Sequence, residues 1–418
     1  MISSSFKQKN YENNEQMIRI LQIRQPQEIK QIMRDIRVDS YGIKIMLPKA
    51  LPYLAQIEGL TCIAANILKQ EMLSLGGDAA VARGALTGKS KKTGCLLMGN
   101  LAVLQRLNCK LSRQPFGLNK LADDLSRALD NYQRENFALE LGSYKLNLGK
   151  RTRIMGIVNL TPDSFSGDGL YQGTGRRAQG TGGSLDYCQQ MVDEGVDIID
   201  IGGESSRPGA KQVSLKEELA RTIPLIREAS KKIKVPISID TSKPEVAAQA
   251  LDSGAVIVND TTGLRNLKMA KLVAKYKAGI VIMHMQGSPR TMQKNPHYQN
   301  LIGEITEFLA QGINRAQQAG VQKEKIIIDP GIGFGKSTGH NLEILKNLSN
   351  FKVLGRPILV GASRKSFIGE VLKVGAKERI FGTVASCVLA AQNGAGIVRV
   401  HDVLAIKQAL KVCEAVNK

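Results

Sequence analysis

The chain has 418 residues, 43% hydrophobic and 23% charged, which is ordinary globular composition and excludes a collagen-like, coiled-coil or largely disordered protein. Its formal net charge of +21 is spread along the chain rather than gathered in a tail, which favours anionic partners. With no Trp and 4% aromatic residues, the stacking platforms of single-strand binders are scarce, so a small polyanionic substrate is expected rather than nucleic acid.

In chain order, residues 1–16 are polar and aperiodic and read as a tail. No apolar stretch follows the first basic residues, and no run approaches the roughly eighteen residues of a spanning helix, so neither a secretory signal nor a membrane segment is expected. Residues 17–148 read as a small mixed α/β domain of unassigned role. It should hold a helix over 62–75 stopped by Gly76-Gly77, and a short buried strand at 95–98. A second helix should carry Leu118, Leu121, Leu125 and Leu129 on one face, followed by a hairpin over 137–148 around Gly142-Ser143.

From 149 to 418 the character changes. Apolar, β-branched runs stand at 154–159, 198–202, 236–240, 256–260, 280–285, 326–329, 357–361 and 396–400. Helical segments lie between them, among them 214–230, 244–253, 300–319 and 403–416. Runs that are apolar nearly throughout suit strands buried on both faces. Eight βα units in about 250 residues predict an α/β fold, a (β/α)8 TIM barrel. The six cysteines show no metal-ligand spacing, and reduced thiols in a cytoplasmic chain are expected.

A barrel of this kind places its active site at the C-terminal ends of the strands. Nearly every run here ends in polar residues: Asn159, then GGESSRPGA at 202–210, Asp240, Asn259-Asp260, His284, Asp329, Ser363-Arg364-Lys365-Ser366, and Arg399 with His401. One such residue would be an ordinary strand-end cap; so many together point to a site. Asp240, Asn259 and Asp329 offer carboxylate and amide edges to a flat heterocycle with paired N–H groups. Ser206, Arg207, Lys365, Arg399 and His401 suit a phosphorylated group. Arg399 and His401, two apart on one strand, face the same side. Asn159 could lend its carbonyl oxygen to a divalent ion that keeps most of its waters.

The strings MGIVNLTPDSFSGDG, GGESSRPGA, SIDT, VND, DPGIGFGK, SRKSF and RVHDV, in this order over about 151–402, resemble those of the dihydropteroate synthase family. The resemblance implies a cytoplasmic transferase of folate biosynthesis, the target of sulfonamides. It joins 6-hydroxymethyl-7,8-dihydropterin diphosphate to p-aminobenzoate and gives 7,8-dihydropteroate and pyrophosphate. It further implies that Asp240, Asn259, Asp329 and Lys365 hold the pterin. Ser206, Arg207, Arg399 and His401 would hold the diphosphate, with Asn159 at Mg2+. Phe165, Pro208 and Ser366 would shape the p-aminobenzoate site. Asp240, Lys365, Arg399 and His401 would carry the chemistry, and a homodimer is implied. Loops 159–169 and 203–210 are expected to close over the diphosphate.

The sequence departs from the family in three places. Ser206 replaces a usual Thr and keeps its hydroxyl; the stretch 171–183 is longer than usual; residues 1–148 have no counterpart in many members. Some members are fused to a pterin pyrophosphokinase, but RDIRVD at 34–39 does not match its D-x-D pair. GALTGKS and PGIGFGKS lack the first glycine of a P-loop, having Arg83 and Pro330 there. Two other readings compete. A methyltetrahydrofolate:corrinoid methyltransferase would share the Asp and Asn set but needs no basic constellation. A basic nucleic-acid binder would show a steep salt slope and no polar strand ends.

Overall fold

The computed structural model describes residues 18–23, 26–87, 91–160, 180–205, 212–288 and 291–416. The chain divides into two compact units, Met1–Ser126 and Arg127–Lys418. Among the described residues no helix is long and apolar enough to cross a membrane.

In the first unit, strands β1 (Pro52–Leu60), β2 (Asp78–Val81) and β3 (Thr93–Asn100) form an antiparallel sheet in the order β1-β3-β2. Around it run α1 (Pro26–Asp35), α2 (Ser40–Ala50), α3 (Cys62–Ser74), α4 (Arg83–Leu86) and α5 (Leu101–Leu111). Asp39, Thr61 and Asn100 begin α2, α3 and α5 by accepting from backbone N–H groups of the first turn. Helix α3 ends at the expected place, with Gly76 in the left-handed region at φ +79°. A Cβ on Gly77 would lie 2.5 Å from Met72 Cε and 3.1 Å from the Met98 carbonyl, so a side chain there would crowd both. Leu68, Met72, Leu97, Leu104, Leu107 and Leu111 make this unit's fully buried core.

Helix α6 (Leu118–Gln133) follows, with Leu118, Leu125 and Leu129 buried along one side. The predicted hairpin forms as β4 (Phe137–Leu141) and β5 (Tyr144–Leu148), turning at Gly142, φ +62°. The eight predicted strands then appear in sequence. They are β6 (Arg153–Asn159), β7 (Ile198–Gly202), β8 (Ile237–Asp240), β9 (Ile257–Asp260), β10 (Gly279–Met283), β11 (Ile326–Asp329), β12 (Ile358–Val360) and β13 (Ala395–Val400). All are parallel, and β13 pairs with β6 to close the barrel. Outside lie α7 (Gly180–Asp193), α8 (Leu215–Lys232), α9 (Pro244–Asp252), α10 (Leu267–Tyr276), α11 (Leu301–Gln318), α12 (Thr338–Lys346), α13 (Ser366–Leu372), α14 (Ile380–Gln392) and α15 (Val403–Val416). The (β/α)8 fold read from the alternation is the fold observed.

Two inward layers explain how the barrel carries a site. At the N-terminal mouth Met155, Ile198, Ile257, Val281, Ile327, Leu359 and Ile397 form one apolar cluster. Leu139, Leu141 and Leu148 of the hairpin pack into it and are buried. The hairpin therefore belongs to the barrel's unit, whose boundary falls at Ser126/Arg127 rather than near 148. Side chains alternate along a strand, so residues two further on face inward again. Those positions are Ile157, Asp200, Asn259, Met283, Asp329, Gly361 and Arg399. The interior thus changes from mainly apolar, with the buried Ser238 of β8 beside Ile257, to largely polar in one step toward the C-terminal rim.

Candidate active site

Arg399, near the end of β13, is the centre of the polar layer. Its Nε donates to Asp200 Oδ2 at 2.6 Å and its Nη2 to Asp240 Oδ2 at 2.7 Å. Asn259 Nδ2 donates to the same Asp200 oxygen at 3.0 Å. Burial pushes the Asp240 carboxyl well above the usual range, against the pull of Arg399, and Asp200 and Glu218 push the same way. Burial opposes the charge of Arg399, yet Asp200 and Asp240 hold its pKa above the ordinary value. Gly202 stands between neighbours at the rim: a Cβ there would lie 3.4 Å from Asp240 Cβ and 3.6 Å from Asn159 Oδ1. Asn159, Asp240, Asn259 and Arg399 are therefore gathered as expected, while Asp200 was missed.

The loop after β11 forms a second wall. Asp329 Oδ1 accepts from Gly331 N at 2.7 Å, and burial raises this carboxyl to about 6. Gly331 has φ +71°, and a Cβ there would fall 1.9 Å from the His284 carbonyl, so no other residue fits. Lys336 is 3% exposed; its Nζ lies 2.9 Å from both His284 Nδ1 and the Phe334 carbonyl. Burial lowers Lys336 to about 7. Burial, then Lys336 and Arg265, lowers His284 to about 2, so its neutral ring accepts from the lysine. His284 is thus a core residue that fixes a loop, edge-on to Phe308 at 4.8 Å. The loop so held presents the Phe334 ring 4.0 Å beneath the Lys365 ammonium, a cation–π contact.

Lys365 itself sits at the start of α13, beside Arg364 at φ +54°. That backbone is over-determined. The Arg364 side chain pairs with Asp402, its N–H donates to Thr383 Oγ1 at 3.0 Å, and its carbonyl accepts from Arg379 Nη1 at 3.0 Å. Ser363 Oγ lies 3.0 Å from His401 Nδ1 and accepts from the His401 N–H at 3.2 Å, joining β13 to the same loop. Ser366 is exposed at the first turn of α13.

Near the start of the loop after β7, Glu204 and the fully buried Glu218 share Lys243 Nζ, and Thr241 Oγ1 donates to Glu218 Oε1 at 2.6 Å. Burial works against the Lys243 charge, but the two glutamates raise it above the ordinary value. This brace joins α8, β8 and β7, and nothing in the local sequence announces it. Phe165, Ser206, Arg207 and Pro208 lie outside the described residues, as do most of loops 159–169 and 203–210 and most of the 171–183 stretch. Among the described residues no three His, Cys, Asp or Glu side chains could hold a metal. Asn159 Oδ1, beside Asp240 at the rim, is a hard oxygen donor of the kind Mg2+ takes.

The pterin binding enzyme family matches residues 155–401. A dihydropteroate synthase of Synechocystis is 47% identical over 279 residues, which is 66% of this chain and 94% of that protein. A probable bifunctional folylpolyglutamate synthase/dihydropteroate synthase of Halobacterium salinarum is 40% identical over 354 residues, 84% of this chain and 41% of the relative. That match is longer than the second unit and so reaches into the first. The Yersinia pestis dihydropteroate synthase, solved with a sulfonamide drug complex, superposes with TM-score 0.63 at 40% identity over 67% of this chain and 99% of that one.

Proposed function

The chain belongs to the pterin binding enzyme family, and from that membership we propose that its barrel is a dihydropteroate synthase. It joins 6-hydroxymethyl-7,8-dihydropterin diphosphate to p-aminobenzoate, as a transferase of folate synthesis. The methylene C–O bond breaks, and its electron pair leaves with pyrophosphate. The arylamine nitrogen forms the new C–N bond and gives up a proton. The observation that carries this reading is the buried acceptor set Asp240, Asn259 and Asp329 facing Arg399 and Lys365 across one barrel mouth.

The residue roles are carried over from the family resemblance onto residues whose chemistry suits them. Asp240, Asn259 and Asp329 accept from the N–H groups of the pterin, and Lys365 lies over its edge. A carboxylate at Asp240 favours positive charge developing on the pterin as the diphosphate departs. Arg399 and His401, with Ser206 and Arg207, receive the diphosphate. By the same resemblance Phe165, Pro208 and Ser366 would shape the p-aminobenzoate site, where a sulfonamide would compete. Asn159 would hold Mg2+, which when bound would supply positive charge to offset that of the leaving diphosphate.

The working unit is a homodimer. Exposed Phe381 and Leu389 on α14 and Leu404, Val412 and Val416 on α15 supply the apolar face it would bury. The thiols of Cys95, Cys109, Cys188 and Cys387 are free, which fits a reducing, cytoplasmic setting. The test is pyrophosphate release from the dihydropterin diphosphate with Mg2+, with and without p-aminobenzoate. Release that requires the arylamine, with dihydropteroate formed, is expected. Release independent of it, or no release, overturns the reading.

A further inference from the structure

Asp200 lies on β7 with none of its surface exposed, one layer beneath the rim. Its Oδ2 takes two hydrogen bonds, from Arg399 Nε at 2.6 Å and from Asn259 Nδ2 at 3.0 Å. Its Oδ1 is buried with no hydrogen-bond partner among the described residues. A carboxylate paired with a guanidinium offers only acceptors. The Asn259 amide therefore has one orientation available: its NH2 turns to Asp200, and its Oδ1 points the other way. Without Asp200 either orientation of that amide would be open. The same carboxylate fixes the plane of Arg399, whose Nη2 is then delivered to Asp240 at 2.7 Å.

We infer that Asp200 is a positioning residue that sets the polarity of the pterin-facing edge. By holding Asn259 with its oxygen outward, it makes Asn259, Asp240 and Asp329 a run of acceptors. Such an edge takes a heterocycle that presents a run of N–H donors and refuses one that presents an acceptor at the Asn259 position, because a buried acceptor pair is left unsatisfied. The inference rests on the dihydropteroate synthase reading and adds a residue that never touches the substrate.

Three variants test it in the full chain, read by steady-state kinetics with each substrate varied separately. Asp200→Asn frees the Asn259 amide; the KM for the dihydropterin diphosphate should rise about tenfold or more, the loss of one charged hydrogen bond's orientation, while that for p-aminobenzoate stays within about twofold. Asp200→Asn combined with Asn259→Asp reverses the hydrogen bond but leaves an acceptor facing outward, so pterin KM should return most of the way. Asn259→Asp alone sets two carboxylates together, which then share a proton; its kcat/KM should fall more steeply than wild type as pH rises through neutrality. If Asp200→Asn does not fold, the last two variants still decide. Equal changes in both KM values, no recovery in the double variant, or a wild-type pH profile for Asn259→Asp overturns the inference while wild-type turnover keeps the function. Absence of wild-type turnover overturns both.

Discussion

Arg399→Met keeps the aliphatic stem and deletes the cation. In the wild type that cation serves two carboxylates at 2.6 and 2.7 Å, whose side chains are 0% and 10% exposed. Removing it leaves two buried, uncompensated charges, and breaking a buried pair in this way costs about 3–5 kcal/mol. Over the roughly 290 residues of the second unit, an unfolding entropy of about 2 cal/mol/K per residue converts this to a Tm drop of about 5–8 °C. The loss must depend on pH. Burial raises the Asp240 pKa and Arg399 opposes it, so the variant's carboxyl titrates higher still. A carboxyl with a folded-state pKa above its unfolded value binds its proton more tightly when folded. Its contribution is fully present below the unfolded value and is lost as pH rises through the folded one. The deficit of Arg399→Met against wild type should therefore be largest near about pH 8 and shrink toward about pH 5. Urea unfolding followed by circular dichroism at both pH values measures it. A deficit below about 1 kcal/mol, the range of exposed pairs, or one equal at both pH values, would refute the claim that Arg399 neutralises this layer.

Four further variants have expected outcomes. Asp240→Asn removes an acceptor charge worth about 1.5–3 kcal/mol, so pterin KM should rise about 10- to 100-fold. Lys365→Ala removes the fixed charge above Phe334 and should lower kcat/KM further; wild-type kinetics in either variant removes that residue from the site. A chain beginning at Leu118 keeps α6 and the hairpin and should fold and turn over, whereas one beginning at 149 loses the buried Leu139, Leu141 and Leu148. At about 2 kcal/mol per buried leucine the second should be about 6 kcal/mol less stable, seen as a lower urea midpoint and dye binding at the exposed mouth. Equal midpoints would mean that the hairpin does not close the barrel. A folded but inactive chain beginning at Leu118 would show that the first unit contributes to the activity.

The barrel was legible because parallel strands covered on both faces must be apolar almost throughout, a pattern the chain repeats eight times. Once the fold class is known, strand direction alone says which residue of each run stands at the C-terminal mouth; Asp240, Asn259, Asp329 and Arg399 were placed there that way. Strand β1 was not legible, since none of its residues is fully buried and no apolar run marks it. Asp200 was missed because a lone carboxylate inside IIDIG carries no sign of what it faces. Its partner Arg399 is 199 positions away, Lys336 meets His284 across 52, and Lys243 meets Glu218 across 25. Periodicity reports which side of a strand or helix a residue occupies, not what stands opposite. The hairpin's membership was hidden for the same reason: alternation reveals a two-stranded ribbon, but only packing shows that its leucines close the apolar mouth. Local pattern determined the elements and the rim; closure of the chain on itself decided which buried charges are paired, and so how the rim is aimed.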